Sequence, residues 1–184
     1  MSTRRSRCGC APPSGRVSGV KGGALAWARG RTTYRITWPE ADVRTPPWFQ
    51  TLDPERDGAF AVMNTLNGQK LADVVGGSGV QFNAARGLSY KSFGYPAAAP
   101  FNGESLKSCS GTATNDPYNP QFNTQGIPCN MTGGSSGGPW FIGSSSTGYQ
   151  NSINSYGYGS KSTTMYGPYW GSVIQQAYST AAAA

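Results

Sequence analysis

Residues Cys129–Phe141 read CNMTGGSSGGPWF. A serine hydroxyl is a weak nucleophile, and its attack on a carbonyl creates an oxyanion that needs hydrogen-bond donors. Glycines around Ser136 let the backbone turn sharply. N–H groups two residues apart, those of Gly134 and Ser136, can then converge on one point. The plain alternative is a flexible Gly/Ser tether without chemistry. A phosphate-binding loop fails, because no Gly-Lys-Ser/Thr follows. The context argues against a tether. Cys129 precedes the loop and the apolar run PWFIG (139–143) follows it at once.

Working outward, the chain from Asp57 onward is well patterned. FAVMNTL (60–66) is a short apolar strand candidate. LSYKSFGYP (88–96), ESLKSCSGTAT (104–114), PWFIG, YQNSINSYGYG (149–159) and TTMYGPYW (163–170) follow at strand-like spacing. Gly, Asn, Pro and Ser turns separate them. Six strands are expected between about residues 88 and 169, the count of a closed antiparallel barrel. GSVIQQAYST (171–180) reads as one short helix, with Val173, Ile174, Ala177 and Tyr178 on one face.

The first fifty-odd residues differ. They mix Arg, Ala, Gly, Pro and Trp with little alternation, apart from the strand candidate RTTYRITW (31–38). Residues 1–56 hold ten Lys/Arg against four acids, and residues 57–184 hold five against four, so the net charge of +7 belongs to the front of the chain. Two readings stay open there: a basic extension, or a segment of separate descent, introduced by a shifted reading frame or a mistaken start. No helix-turn-helix, zinc finger or aromatic-basic interleaving accompanies the basic residues, so nucleic acid is not an expected partner. No run is long enough to span a membrane. The start, MSTRRSRCGCAPPSGRV, has no apolar core behind its basic residues and is not a signal peptide as written. Cys8 and Cys10, without further Cys or any His, make no expected metal site, and no cofactor is implied. Asn130-Met131-Thr132 matches a glycosylation sequon, which its place beside the loop makes accidental.

GSSGGP (134–139) resembles the nucleophile motif of chymotrypsin-like serine endopeptidases. The fuller CNMTGGSSGGPWF is similar to the bacterial branch related to glutamyl endopeptidases. The resemblance covers about residues 57–184. It implies an all-β, chymotrypsin-like double β-barrel. The C-terminal six-stranded barrel is complete, the N-terminal barrel is incomplete, and a short helix closes the chain. Residues 1–56 then form a basic N-terminal segment, 57–87 a remnant of the first barrel with its connection, and 88–184 the second barrel. The resemblance also assigns roles. Ser136 takes the nucleophile's place, and the Gly134 and Ser136 amides the oxyanion hole. Asp57, in RDGAFAVM, matches the catalytic aspartate; from the residues alone it reads as a solvated turn acid. Ser155, Tyr156 and Gly157 match the edge that binds substrate backbone, and Asn130 falls in the primary specificity pocket. Cys109 and Cys129 match a common disulfide, where two free thiols are the alternative. A peptide or protein substrate, a secreted monomer and no membrane or nucleic-acid partner go with these assignments.

The chain also departs from that pattern. It has no histidine, so neither the general base nor the pocket histidine of the glutamyl enzymes is present. A Ser-Lys arrangement would have to draw on Lys91, Lys107 or Lys161, and no pattern places any of them at Ser136. Ser135 stands where the trypsin-like motif has the aspartate that receives a freed N-terminus, so activation of that kind is not expected. Sequence alone thus implies a serine endopeptidase homologue that is inactive or severely impaired, or else a peptide-binding pseudoprotease.

Overall fold

The structure, a computed structural model, describes residues 54–58, 60, 65, 67–70, 72–73, 76–159 and 162–183. The strand expected at RTTYRITW, most of FAVMNTL, the Cys8/Cys10 pair and Lys161 lie outside these residues.

Six strands and one helix follow a short 3-10 turn at Pro54–Arg56. They are β1 (Ser89–Gly94), β2 (Lys107–Thr112), β3 (Thr124–Pro128), β4 (Pro139–Ile142), β5 (Gln150–Ile153), β6 (Thr164–Pro168) and α1 (Ser172–Ala182). The five strand runs named between residues 88 and 170 each hold a strand. The sixth, β3, lies in TQGIP, whose glycine and proline read as turn residues. Gly126 is there for packing. A Cβ on it would come within 2.6 Å of the Tyr166 ring across the ladder.

The strands form two antiparallel sheets, one ordered β2-β1-β4-β5 and the other β3-β6. Pairing runs Ser89↔Thr112 to Gly94↔Lys107 between β1 and β2, and Tyr90↔Ile142 to Ser92↔Trp140 between β1 and β4. A register shift between Trp140 and Phe141 marks the β4–β5 ladder. The expected closed barrel is therefore more open than its strand count suggests. The sheets meet at two isolated bridges, Thr114↔Gly126 on the β2–β3 side and Tyr156↔Tyr166 on the β5–β6 side. The Cys109–Cys129 disulfide adds a covalent tie between β2 and the residue after β3, and the free-thiol alternative falls away.

Between the sheets lies a core of Tyr90, Ala113, Ile127, Cys129, Met131, Trp140 and Met165. Burial of such side chains supplies the main favourable term, roughly 1.5–3 kcal/mol for each large apolar one. The Tyr90 hydroxyl inside it donates to Asn151 Oδ1 (2.6 Å) and accepts from Gln125 Nε2 (3.3 Å), so its polar end is satisfied. Helix α1 packs on a second, aromatic cluster of Phe60, Phe82, Trp170 and Tyr178. Phe82 stacks on Trp170 at 5.8 Å, and Tyr178 lies 5.3 Å from both phenylalanines. One expected face residue is corrected: Val173 is 52% exposed, whereas Ile174 is 3% exposed. The packed stripe is Ile174, Ala177, Tyr178 and Ala181, the i, i+3, i+4, i+7 spacing that a helix presents to one neighbour.

Candidate active site

The loop of residues 129–138 joins β3 to β4, and its shape is set by contacts on three sides. At its entry, Gly133 O accepts from the Ala97 (2.7 Å) and Ala98 (3.1 Å) amides, and Thr132 Oγ1 donates to Ala98 O (2.7 Å). Within it, the buried Ser135 hydroxyl donates to Thr132 O (2.8 Å), and Gly138 N donates to Ser135 O (3.1 Å). At its exit, Gly137 N donates to Asn154 O and Asn154 N to Gly138 O, both at 2.8 Å. Gly134 and Gly137 take φ of 97° and 74°, a region where a side chain is strained. Gly138 has a different reason to be glycine: a Cβ there would lie 1.9 Å from Phe93 O.

These contacts leave Ser136 exposed at the tip beside buried Ser135. Among the described residues, neither the Gly134 nor the Ser136 amide donates to a main-chain carbonyl. No described side chain hydrogen-bonds the Ser136 hydroxyl. Of the lysines considered from sequence, Lys91 lies over the Phe93 ring at 5.7 Å, and Lys107 opposes Gly94 across the β1–β2 ladder.

Asp57 and Ser155, 98 positions apart in sequence, come together: Ser155 Oγ donates to Asp57 Oδ2 at 2.5 Å. The turn acid thus has a specific partner on the segment that follows β5. That segment runs along β6. The Ser155 and Tyr156 amides both donate to Tyr166 O, and Tyr166 N donates to Tyr156 O. Gly157 is exposed. Asn130 is exposed too, between buried Cys129 and Met131, and no hydrogen bond among the described residues links it to Ser136 or Tyr156.

Two features escaped the sequence. The first is Asn154, which is 1% exposed. Its Oδ1 accepts from Ser92 Oγ and Trp140 Nε1, both at 2.7 Å. Its Nδ2 donates to Phe93 O and Ser135 O, both at 3.0 Å. An asparagine in NSINSYGYG looks like any turn residue, and nothing local signals this role. The second is the buried Asp116. Its Oδ1 accepts the Tyr118 (2.9 Å) and Asn119 (3.2 Å) amides, the local turn that DPYN does announce. Its Oδ2 accepts the hydroxyls of Tyr156 (2.7 Å) and Tyr158 (2.6 Å), which no sequence pattern foretells. Burial works against this charge. The Tyr158 and Tyr156 hydroxyls and the two amides outweigh it and hold the Asp116 carboxyl below its ordinary range. Burial, and then the Asp116 carboxylate, push the Tyr156 phenol well above its ordinary range. The Tyr156 ring stacks on Tyr166 at 5.1 Å. Tyr118, 72% exposed, meets Tyr158 edge-on at 4.8 Å.

No family model and no curated protein matches the sequence. Solved structures do. The protease Anisep from Arthrobacter nicotinovorans is 86% identical over 72% of this chain and 60% of its own, with a TM-score of 0.70. The thermostable serine protease AL20 from an extremophilic microorganism is 57% identical over 71% of this chain and 60% of its own, with a TM-score of 0.68. The chain thus spans 60% of the length of each. High identity, a shared backbone and a serine loop of this form agree. Over about seven tenths of its length the chain is thus a relative of these serine proteases, and its strands and serine loop fit the chymotrypsin-like family.

Proposed function

We propose that this chain carries the nucleophile half of a secreted peptide hydrolase and, lacking a histidine, binds peptides far better than it cuts them. One observation carries the reading: Ser136 stands exposed on a glycine turn whose Gly134 and Ser136 amides have no main-chain acceptor among the described residues. In the reaction, Ser136 Oγ adds to the substrate carbonyl carbon while the two amides stabilise the oxyanion. The amine then leaves with a proton, and water releases the acyl group from Ser136. The hydroxyl proton has to reach solvent directly, because no imidazole takes it. Asp57, held by Ser155, would orient an imidazole in a complete site; without one it has no catalytic task. Loss of a general base lowers turnover about a million-fold, and the oxyanion hole and binding alone leave about 10³–10⁴ over water.

The substrate lies along Ser155–Gly157 as an added strand, with Asn130 lining the pocket for the residue before the scissile bond. The Cys109–Cys129 disulfide suits an oxidising, extracellular setting.

A fluorophosphonate probe tests the assignment. Slow labelling is expected, and Ser136→Ala should abolish it without moving Tm, since Ser136 is exposed. Equal labelling of the Ala variant would sink the reading. The absence of histidine favours a second reading, peptide binding with no chemistry. Saturable peptide binding with neither labelling nor turnover would select it.

A further inference from the structure

We infer that Asn154 is the positioning residue of the nucleophile loop, fixing both its shape and its spacing from the Asp57–Ser155 pair. The inference rests on the Ser136 reading for its meaning, but not for its test.

The argument starts from satisfaction. A primary amide has two donor hydrogens and one acceptor oxygen. All are engaged here: two hydroxyl or indole donors reach Oδ1, and two main-chain carbonyls accept from Nδ2. The side chain is polarised in one direction. Its oxygen faces the core side chains Ser92 and Trp140, and its amide nitrogen faces Phe93 O, near the end of β1, and Ser135 O, inside the loop. Only asparagine at this length offers acceptor and donors together. Aspartate would turn a carboxylate oxygen toward two carbonyls, and leucine would leave the Ser92 hydroxyl and the Trp140 indole N–H without their acceptor.

Sterics act in the same direction. A Cβ on Gly94 would lie 2.8 Å from Ser135 Cβ and 3.1 Å from Asn154 Nδ2; one on Gly138 would lie 2.5 Å from Asn154 Nδ2. The amide nitrogen thus takes up space that a side chain at either glycine would need. The Asn154 main chain is paired with Gly137 and Gly138 as well, so one residue grips the loop by both backbone and side chain. The next residue is Ser155, the partner of Asp57. A displacement of Asn154 therefore changes the loop and its distance from the aspartate together. The loop's shape is secured by an internal amide reaching Ser135 O, while the Ser135 side chain bonds back to Thr132 O. The geometry at Ser136 is thereby set by the folded sheets themselves.

The test compares Asn154→Asp with Ser92→Ala by amide hydrogen exchange. Ser92→Ala removes a bond to the same side chain from the core side only. The reporters are the Gly137 and Gly138 amides in the loop and the paired amides of β1 and β4 in the core. Asn154→Asp is expected to speed loop exchange at least tenfold beyond any change in the core reporters. Ser92→Ala should speed loop and core by the same factor, through stability alone. If both variants move loop and core equally, Asn154 is only a core residue and the inference fails. It also fails if Asn154→Asp leaves the loop amides unchanged. Should Asn154→Asp not fold, Asn154→Ser, which keeps one donor, is read by the same ratio. Fluorophosphonate labelling run alongside separates the two ideas. No labelling of the unaltered chain counts against the Ser136 reading, while the exchange ratio still decides on Asn154.

Discussion

At the scale of the residue, each glycine in the loop has its own cause. Gly134 and Gly137 are needed for backbone angle, and Gly138 for room. Gly138→Ala should therefore destabilise by about 2–3 kcal/mol through overpacking, measured by urea denaturation. A change below about 0.5 kcal/mol would show that β1 yields to the new methyl. The motif made Ser136 and its glycines legible, because sharp turns and small residues are local properties. Asn154 was illegible for the opposite reason. Its partners come from Ser92, Phe93, Ser135 and Trp140, brought together only by the β1–β4–β5 ladder. Asp57 falls between: its acid character was visible, but the Ser155 bond across 98 positions was not.

At the scale of the element, strands with alternating or apolar runs were readable, and β3 was not. Its glycine is dictated by a ring on β6 and its terminal proline by the strand's end, neither of which shows in TQGIP. Helix α1 was readable as a helix and so were Ile174, Ala177 and Tyr178 of its contact face, but Val173 lies outside that face. That difference makes a clean comparison. Ile174→Ala should destabilise by about 2–4 kcal/mol, whereas Val173→Ala should stay within about 0.5 kcal/mol. Equal losses in thermal melts would return Val173 to the packed face. The disulfide joins elements of different sheets. Replacing Cys109 and Cys129 together by alanine should remove about 3 kcal/mol. A denaturation midpoint that does not move would mean that the core and the bridges hold the sheets without it.

At the scale of the whole molecule, Asp116 ties the β2–β3 connection to the segment after β5 through the Tyr156 and Tyr158 hydroxyls, and it makes folding depend on pH. Its folded carboxyl titrates below the ordinary value of about 3.9. The stability it contributes is therefore present above that value and is lost as pH falls through the folded one. Urea midpoints between pH 6 and 2 should drop more shallowly for Asp116→Asn than for the unaltered chain; parallel curves would refute the assignment. The composition break near residue 56 has its own check. Translating the other two frames across codons 1–56 separates the open readings. A Thr-Ala-x-His-Cys-like run after an apolar strand would restore a base to the gene, and its absence would favour peptide binding. Finally, the Asn154 clamp fixes an order of events. Its two carbonyl partners precede it by 61 and 19 positions. A ribosome thus releases the serine loop before the residue that shapes it. Until residue 154 has emerged and docked, the nascent chain holds Ser136 in a loop without its geometry. Whatever reactivity the serine has arrives only with the finished fold.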